Sequence, residues 1–243
     1  MLSRIAPCIL LLLLLLGNSP STAADNLAEF NAAVEAAGAH NRIAIGYLRT
    51  GNLDLASLEI DRLRNAWARL TERFSGNRPA AFKGNPHYAS LFTGVSARLV
   101  GADLMLKTGR PDAARSGLDA IRRDLYELRR DSGVFVLADC VRDANAAMDE
   151  LMVFDGDEID WVRAAAAGGL ASKSAAYASI LNQCDEIAGD RVRNASEFRR
   201  LIDGAKSSLA LISKAIAEHD GGLLHRVLIE LRSFANLLDF RFG

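Results

Sequence analysis

Leu53-Asp54-Leu55-Ala56-Ser57-Leu58-Glu59-Ile60-Asp61-Arg62-Leu63-Arg64-Asn65-Ala66-Trp67-Ala68-Arg69-Leu70-Thr71-Glu72-Arg73-Phe74 decides the fold class. Ala56, Ile60, Leu63, Trp67, Leu70 and Phe74 recur every three or four residues. That spacing aligns them along one side of an α-helix, with Glu59, Asp61, Arg62, Arg69 and Glu72 largely outside the stripe. Such a stripe has to be covered by another helix. The pattern returns in Ala114, Leu118, Ile121, Leu125 and Leu128, and again in Leu224, Leu228, Leu231, Ala235 and Leu238. No long alternating run of β-branched residues occurs, so strands are not expected.

Glycine, proline and asparagine supply the punctuation. Ser75 to His87 is expected to be a surface loop, and shorter breaks fall at Gly51, Gly109, Gly133, Gly156, Gly189 to Asn194 and Gly221-Gly222. Between them lie about eight helices, over roughly 26 to 50, 53 to 74, 88 to 108, 111 to 130, 134 to 153, 158 to 187, 197 to 219 and 222 to 240. The expectation is an all-α protein, built as an antiparallel helical bundle or a hairpin-repeat array. A mature length of about 220 residues suits one domain or two, with the candidate boundary near 153 to 158.

Residues 1 to 24 have the form of a secretory signal peptide: Arg4, an apolar run from Ile9 to Leu16, then small residues ending in Thr22-Ala23-Ala24. Cleavage is expected before Asp25, with Ser21 and Ala23 offering an alternative one residue earlier. Cys8 precedes the apolar run, which does not fit a lipidated cysteine. No later stretch is expected to span a bilayer, which takes about 20 apolar residues. Basic and acidic residues number 29 and 30, a near balance that provides no electrostatic reason to expect nucleic acid. The cations are mostly arginine; with the leader, this bias points to a periplasmic location, or to secretion if the source is not a Gram-negative bacterium. Half the residues are hydrophobic, enough for a sizeable core.

Shifting Ala44 to Leu70 by 58 positions lands on Ala102 to Leu128 with nine identities, Thr50-Gly51 falling on Thr108-Gly109. The two candidate repeat cores are Ala56, Ile60, Leu63, Trp67 and Leu70, and Ala114, Leu118, Ile121, Leu125 and Leu128. Gly46 to Ala56 resembles the middle of a tetratricopeptide repeat, and Met105 to Ala114 looks like a second such turn. The resemblance covers two hairpins and implies helical-hairpin packing and a scaffold that binds another protein; it carries over no catalytic residue. The spacing departs from that family, whose units recur every ~34 residues.

Removing the leader leaves two cysteines, Cys140 and Cys184, in a compartment that oxidises thiols, so a disulfide is expected; two separately buried thiols are the alternative. The bridge would close a loop of about 43 residues, worth roughly 4 kcal/mol. A straight helix over 158 to 187 would leave the two sulfurs about 18 Å out of register. The bridge therefore requires a break in that helix, for which Gly168-Gly169 is the best candidate, or a bend at its end.

An exported bundle with a cysteine on a late helix resembles class II cytochromes in outline. However, Cys140-Val141-Arg142-Asp143-Ala144 lacks the second cysteine and the histidine that attach haem. A non-covalent haem would draw on His219, His225, Met105, Met148 or Met152, candidates by residue type alone. His40, His87, His219 and His225 form no zinc-binding pair, although His219 and His225 flank one turn. Asp155 to Asp160 begins like a calcium loop but holds Ile159 at a ligand position, and reads better as a helix N-terminus. Arg232 and Arg241 are expected to pair with neighbouring acids or helix carbonyls. No nucleophile elbow is present, and Asp139 beside Cys140 opposes a thiolate.

No cofactor, metal or catalytic constellation is therefore expected. The function expected is that of a non-enzymatic interaction or structural protein. A small-ligand or cofactor-binding bundle is the alternative.

Overall fold

A computed structural model describes residues 23–156, 159–165 and 169–243, among which helix dominates and no strand occurs. Residues 1–22, which carry most of the expected leader, lie outside the described residues, as do Asp157 and Glu158 of the acidic segment.

Helices α1 (Ala23–Arg49), α2 (Leu53–Phe74), α3 (His87–Lys107) and α4 (Pro111–Asp131) pack in chain order, and α4 returns to α1 to close a four-helix ring. Ala56, Ile60, Leu63, Trp67 and Leu70 of α2 and Ala114, Leu118, Ile121, Leu125 and Leu128 of α4 are all buried in its core. Burying a Leu or Ile side chain contributes roughly 1.5 to 3 kcal/mol. At one end Phe30, Phe74, Phe82 and Tyr88 form an aromatic cluster, with Phe30 ring centroids 5.4 Å from Phe74 and 5.2 Å from Phe82. The Ser75 to His87 connection is thus not wholly a surface loop. A single 3-10 turn, Ala80–Phe82, inserts Phe82 to plug the bundle.

The two Thr-Gly turns share the bonds that close their helices. Asn52 N–H donates to the Tyr47 carbonyl and Gly51 N–H to that of Leu48, while Arg110 N–H donates to Met105 and Gly109 N–H to Leu106. Each turn has its glycine in the left-handed region, at φ 74° and 70°. Each threonine hydroxyl also donates back into its own last helical turn. This is the Schellman closure, in which a glycine just beyond the helix satisfies its last carbonyls.

Helix α3 is long and apolar enough to cross a membrane by length and composition alone. Its Tyr88, Leu91, Phe92, Val95, Leu99 and Ala102 face the core, and Arg98 pairs with Asp124 of α4 at 2.8 Å. Val100 and Leu104 are exposed on its outer side.

The second unit contains α5 (Leu137–Met152), α6 (Trp161–Ala165), α7 (Leu170–Ile187), α8 (Asp190–Arg193), α9 (Ser196–Glu218) and α10 (Gly221–Phe242). Helices α5, α7, α9 and α10 form a second closed ring: α5 against α7, α7 against α9, α9 against α10, and α10 back on α5. The two cores part between Val134 and Leu137, whereas Met152, Phe154 and Ile159, on either side of the candidate boundary at 153 to 158, all pack against the second core.

The helix expected over 158 to 187 is two helices, α6 and α7; residues 166–168, Gly168 included, lie outside the described residues. That division resolves the register of the cysteines. Cys140 stands 12 residues before the end of α5 at Met152, and Cys184 stands 14 residues after the start of α7 at Leu170. The antiparallel pair brings their Cα atoms to 5.5 Å, and the disulfide is formed.

Candidate functional site

Where the two bundles meet, a cleft of about 930 Å³ opens between α1 and α4 on one side and the start of α5, helix α8 and the end of α10 on the other. Within the wider junction, Gly46 of α1 has no side chain because the Phe240 ring of α10 lies 3.1 Å from where a Cβ would stand. Arg42 of α1 reaches across, its Nη1 donating to the Gly243 carbonyl at 2.7 Å and its Nη2 to the Arg241 carbonyl at 3.1 Å and to Glu35 at 2.6 Å. Arg122 of α4 pairs with Asp239 of α10.

Under the link between the bundles, Arg129 Nε donates to Asp139 Oδ2 at 2.8 Å. Both residues are buried, at 5% and 2% exposure. Asp139 also accepts from the Val136 N–H as α5 begins, so the acid beside Cys140 caps and pairs. Tyr126 donates to Asp143 at 3.1 Å, with the Arg142 guanidinium 4.4 Å from its ring centre. Burial raises the Tyr126 phenol above its ordinary range, the Asp143 carboxylate raises it further, and Arg130 and Arg142 partly offset both.

Three side chains in the cleft wall are left incomplete among the described residues, the first being Asn31 of α1, whose Oδ1 is buried without a partner. Asn41, 2% exposed, donates through Nδ2 to the Leu118 carbonyl at 3.1 Å, but its Oδ1 is buried without a partner. Arg42, 6% exposed, has a buried Nε with none. Two acceptors and a donor thus lie on α1 residues that line an open space. A buried polar group without a partner costs roughly 1 to 3 kcal/mol, so such groups mark a place where something else completes the bonding.

Other residues singled out from sequence lie apart from the cleft. His219 ends α9 in the left-handed region at φ 50° and stacks on Trp161, whereas His225 pairs with Asp155 at 2.7 Å, so the two are separately engaged. Met105 packs against the first core and Met148 and Met152 in the second, while His219 and His225 are exposed. Arg232 pairs with Asp149 and Arg241 with Glu197, as expected. Among the described residues no cluster of three or more His, Cys, Asp or Glu is placed to hold a metal ion.

Sequence reasoning missed Asn41 and Arg42 entirely. Neither belongs to a motif, and only the approach of α4 and α10 makes their positions special. No family model, curated protein or solved structure matches the chain.

Proposed function

We propose that this is an exported, non-enzymatic binding protein whose ligand is a small molecule held in the cleft between its two helical bundles. One observation carries the reading: Asn31 Oδ1, Asn41 Oδ1 and Arg42 Nε, all on α1 residues that line the cleft, are buried without a partner among the described residues. A volume of about 930 Å³ suits a compact organic ligand. The disulfide between Cys140 and Cys184 supports an oxidising, periplasm-like location, in keeping with the leader. A second reading, docking of another protein, draws on exposed apolar side chains such as Leu58, Val100 and Leu104.

Native mass spectrometry of the protein taken from its own compartment separates the two. Gly38 lines the cleft on α1, and Arg42 Nη1 lies 3.4 Å from where its Cβ would stand, so Gly38→Leu projects into the space. A small-molecule adduct on the wild type that Gly38→Leu abolishes is the expected result. Recovery of partner proteins alone, with no adduct on either form, sinks the small-ligand reading in favour of the scaffold.

A further inference from the structure

Seven arginines line the cleft against six side-chain carboxylates, a count that looks balanced until the pairs are matched. Arg42 is spent on Glu35, Arg122 on Asp239, Arg129 on Asp139 and Arg232 on Asp149. Asp190 faces Arg193, which is not a lining residue, at 3.8 Å. Arg123, Arg142 and Arg191 remain, set against Asp119 alone. Arg142 stacks on Tyr126 with no hydrogen bond assigned to its guanidinium donors among the described residues, and Arg123 and Arg191 are exposed. Guanidinium groups left with free donors at a cavity rim match carboxylate, sulfonate or phosphate oxygens in geometry and in charge. Deeper in, Val34, Ala37, Ile121, Leu125, Leu137 and Val192 make the wall largely apolar.

We infer that the cleft selects a small organic anion with an apolar body, the acidic group meeting Arg123, Arg142 and Arg191 and the body lying against the apolar wall beside Asn41 and Arg42. This rests on the cleft being a binding site, and charge selection is the added claim. The acidic group stays at the rim, where the arginines are solvated, while the body is desolvated. The apolar wall then supplies most of the affinity and the arginines the choice of charge.

Two fluorescent probes test it on the full chain: anilinonaphthalene sulfonate and uncharged phenylnaphthylamine, which share an aromatic body and differ by the sulfonate. The anionic probe is expected to bind about one equivalent, at least roughly fivefold tighter than the neutral one, with the advantage shrinking as salt is raised. Substituting Arg123→Gln together with Arg191→Gln removes most of that advantage and leaves the neutral probe unchanged. Both positions are exposed and carry no assigned partner, so the fold survives, and circular dichroism checks it. Gly38→Leu lowers the uptake of both probes. Equal affinity for the two probes, with both still sensitive to Gly38→Leu, overturns charge selection and leaves the cleft standing. An anionic preference that persists in the double variant overturns the assignment to these arginines. Uptake of neither probe, or uptake indifferent to Gly38→Leu, removes the binding site itself.

Discussion

At the scale of single residues, the arginine that matters most to the link between the bundles is Arg129. Its pair with Asp139 sits under the connection from α4 to α5, out of water on both sides. Removing one member strands the other charge in the interior, which costs about 3 to 5 kcal/mol, whereas replacing both by apolar residues of similar size costs far less. Asp139→Ala is therefore expected to destabilise strongly in urea titrations, and Arg129→Met combined with Asp139→Leu to recover most of the loss. Equal losses in single and double variants would show that the carboxylate acts mainly as the α5 cap. None of this was legible beforehand. Asp139 drew notice only as the neighbour of Cys140, and Arg129 drew none, because a charge ten residues from its partner across a glycine turn has no sequence signature. Asn41 and Arg42 were hidden for the same reason: their environment comes from α4 and α10, whose approach no local pattern encodes.

At the scale of elements, the sequence was far more readable. The stripes of α2 and α4 follow from helical periodicity and lie inward residue by residue. The Thr50-Gly51 and Thr108-Gly109 turns were visible because glycine is the residue that enters the left-handed region cheaply. Since the two closures share the same bonds and nearly the same φ, Gly51→Ala and Gly109→Ala are expected to destabilise by the same amount, about 1 kcal/mol each, in matched thermal melts. A difference of more than about 1 kcal/mol would show that the surroundings, not the shared closure, set the cost.

Other elements misled. The Ser75 to His87 segment is rich in loop formers, yet Phe82 within it is a core residue; one apolar side chain in a polar setting carries no periodicity to announce it. The sequence reading sets the candidate boundary at the Gly156 break and none at Gly133. Only packing reveals that the Gly133 break separates two cores and that residues on both sides of Gly156 pack against one.

At the scale of the whole molecule, the covalent link is confined to one half. The disulfide ties the first turn of α5 to the end of α7 and touches nothing in the first ring. Closing a loop of about 43 residues is worth roughly 4 kcal/mol, and that stabilisation belongs to the second bundle. Calorimetry of the Cys140→Ala, Cys184→Ala variant is expected to show the second bundle melting earlier and the first unchanged. A single transition that falls as one would mean that the two rings unfold together through their polar junction. Parity of the cysteines after the expected leader, with export as the expectation, was enough to anticipate the bond. Its geometry depended on dividing the long helix between Ala165 and Leu170.

The grip of Arg42 on the end of α10 bears on how the protein is handled at the bench. Gly243 is buried, its carbonyl is held at 2.7 Å, and a Cβ there would collide with Asp239 and Arg122. Anything fused after it, a purification tag included, must set out from the cleft wall beside Asn41 and Arg42. A tag joined directly after Gly243 would thus crowd the pocket that a binding assay is meant to report on. Recombinant work on this chain is better served by a removable tag placed ahead of α1.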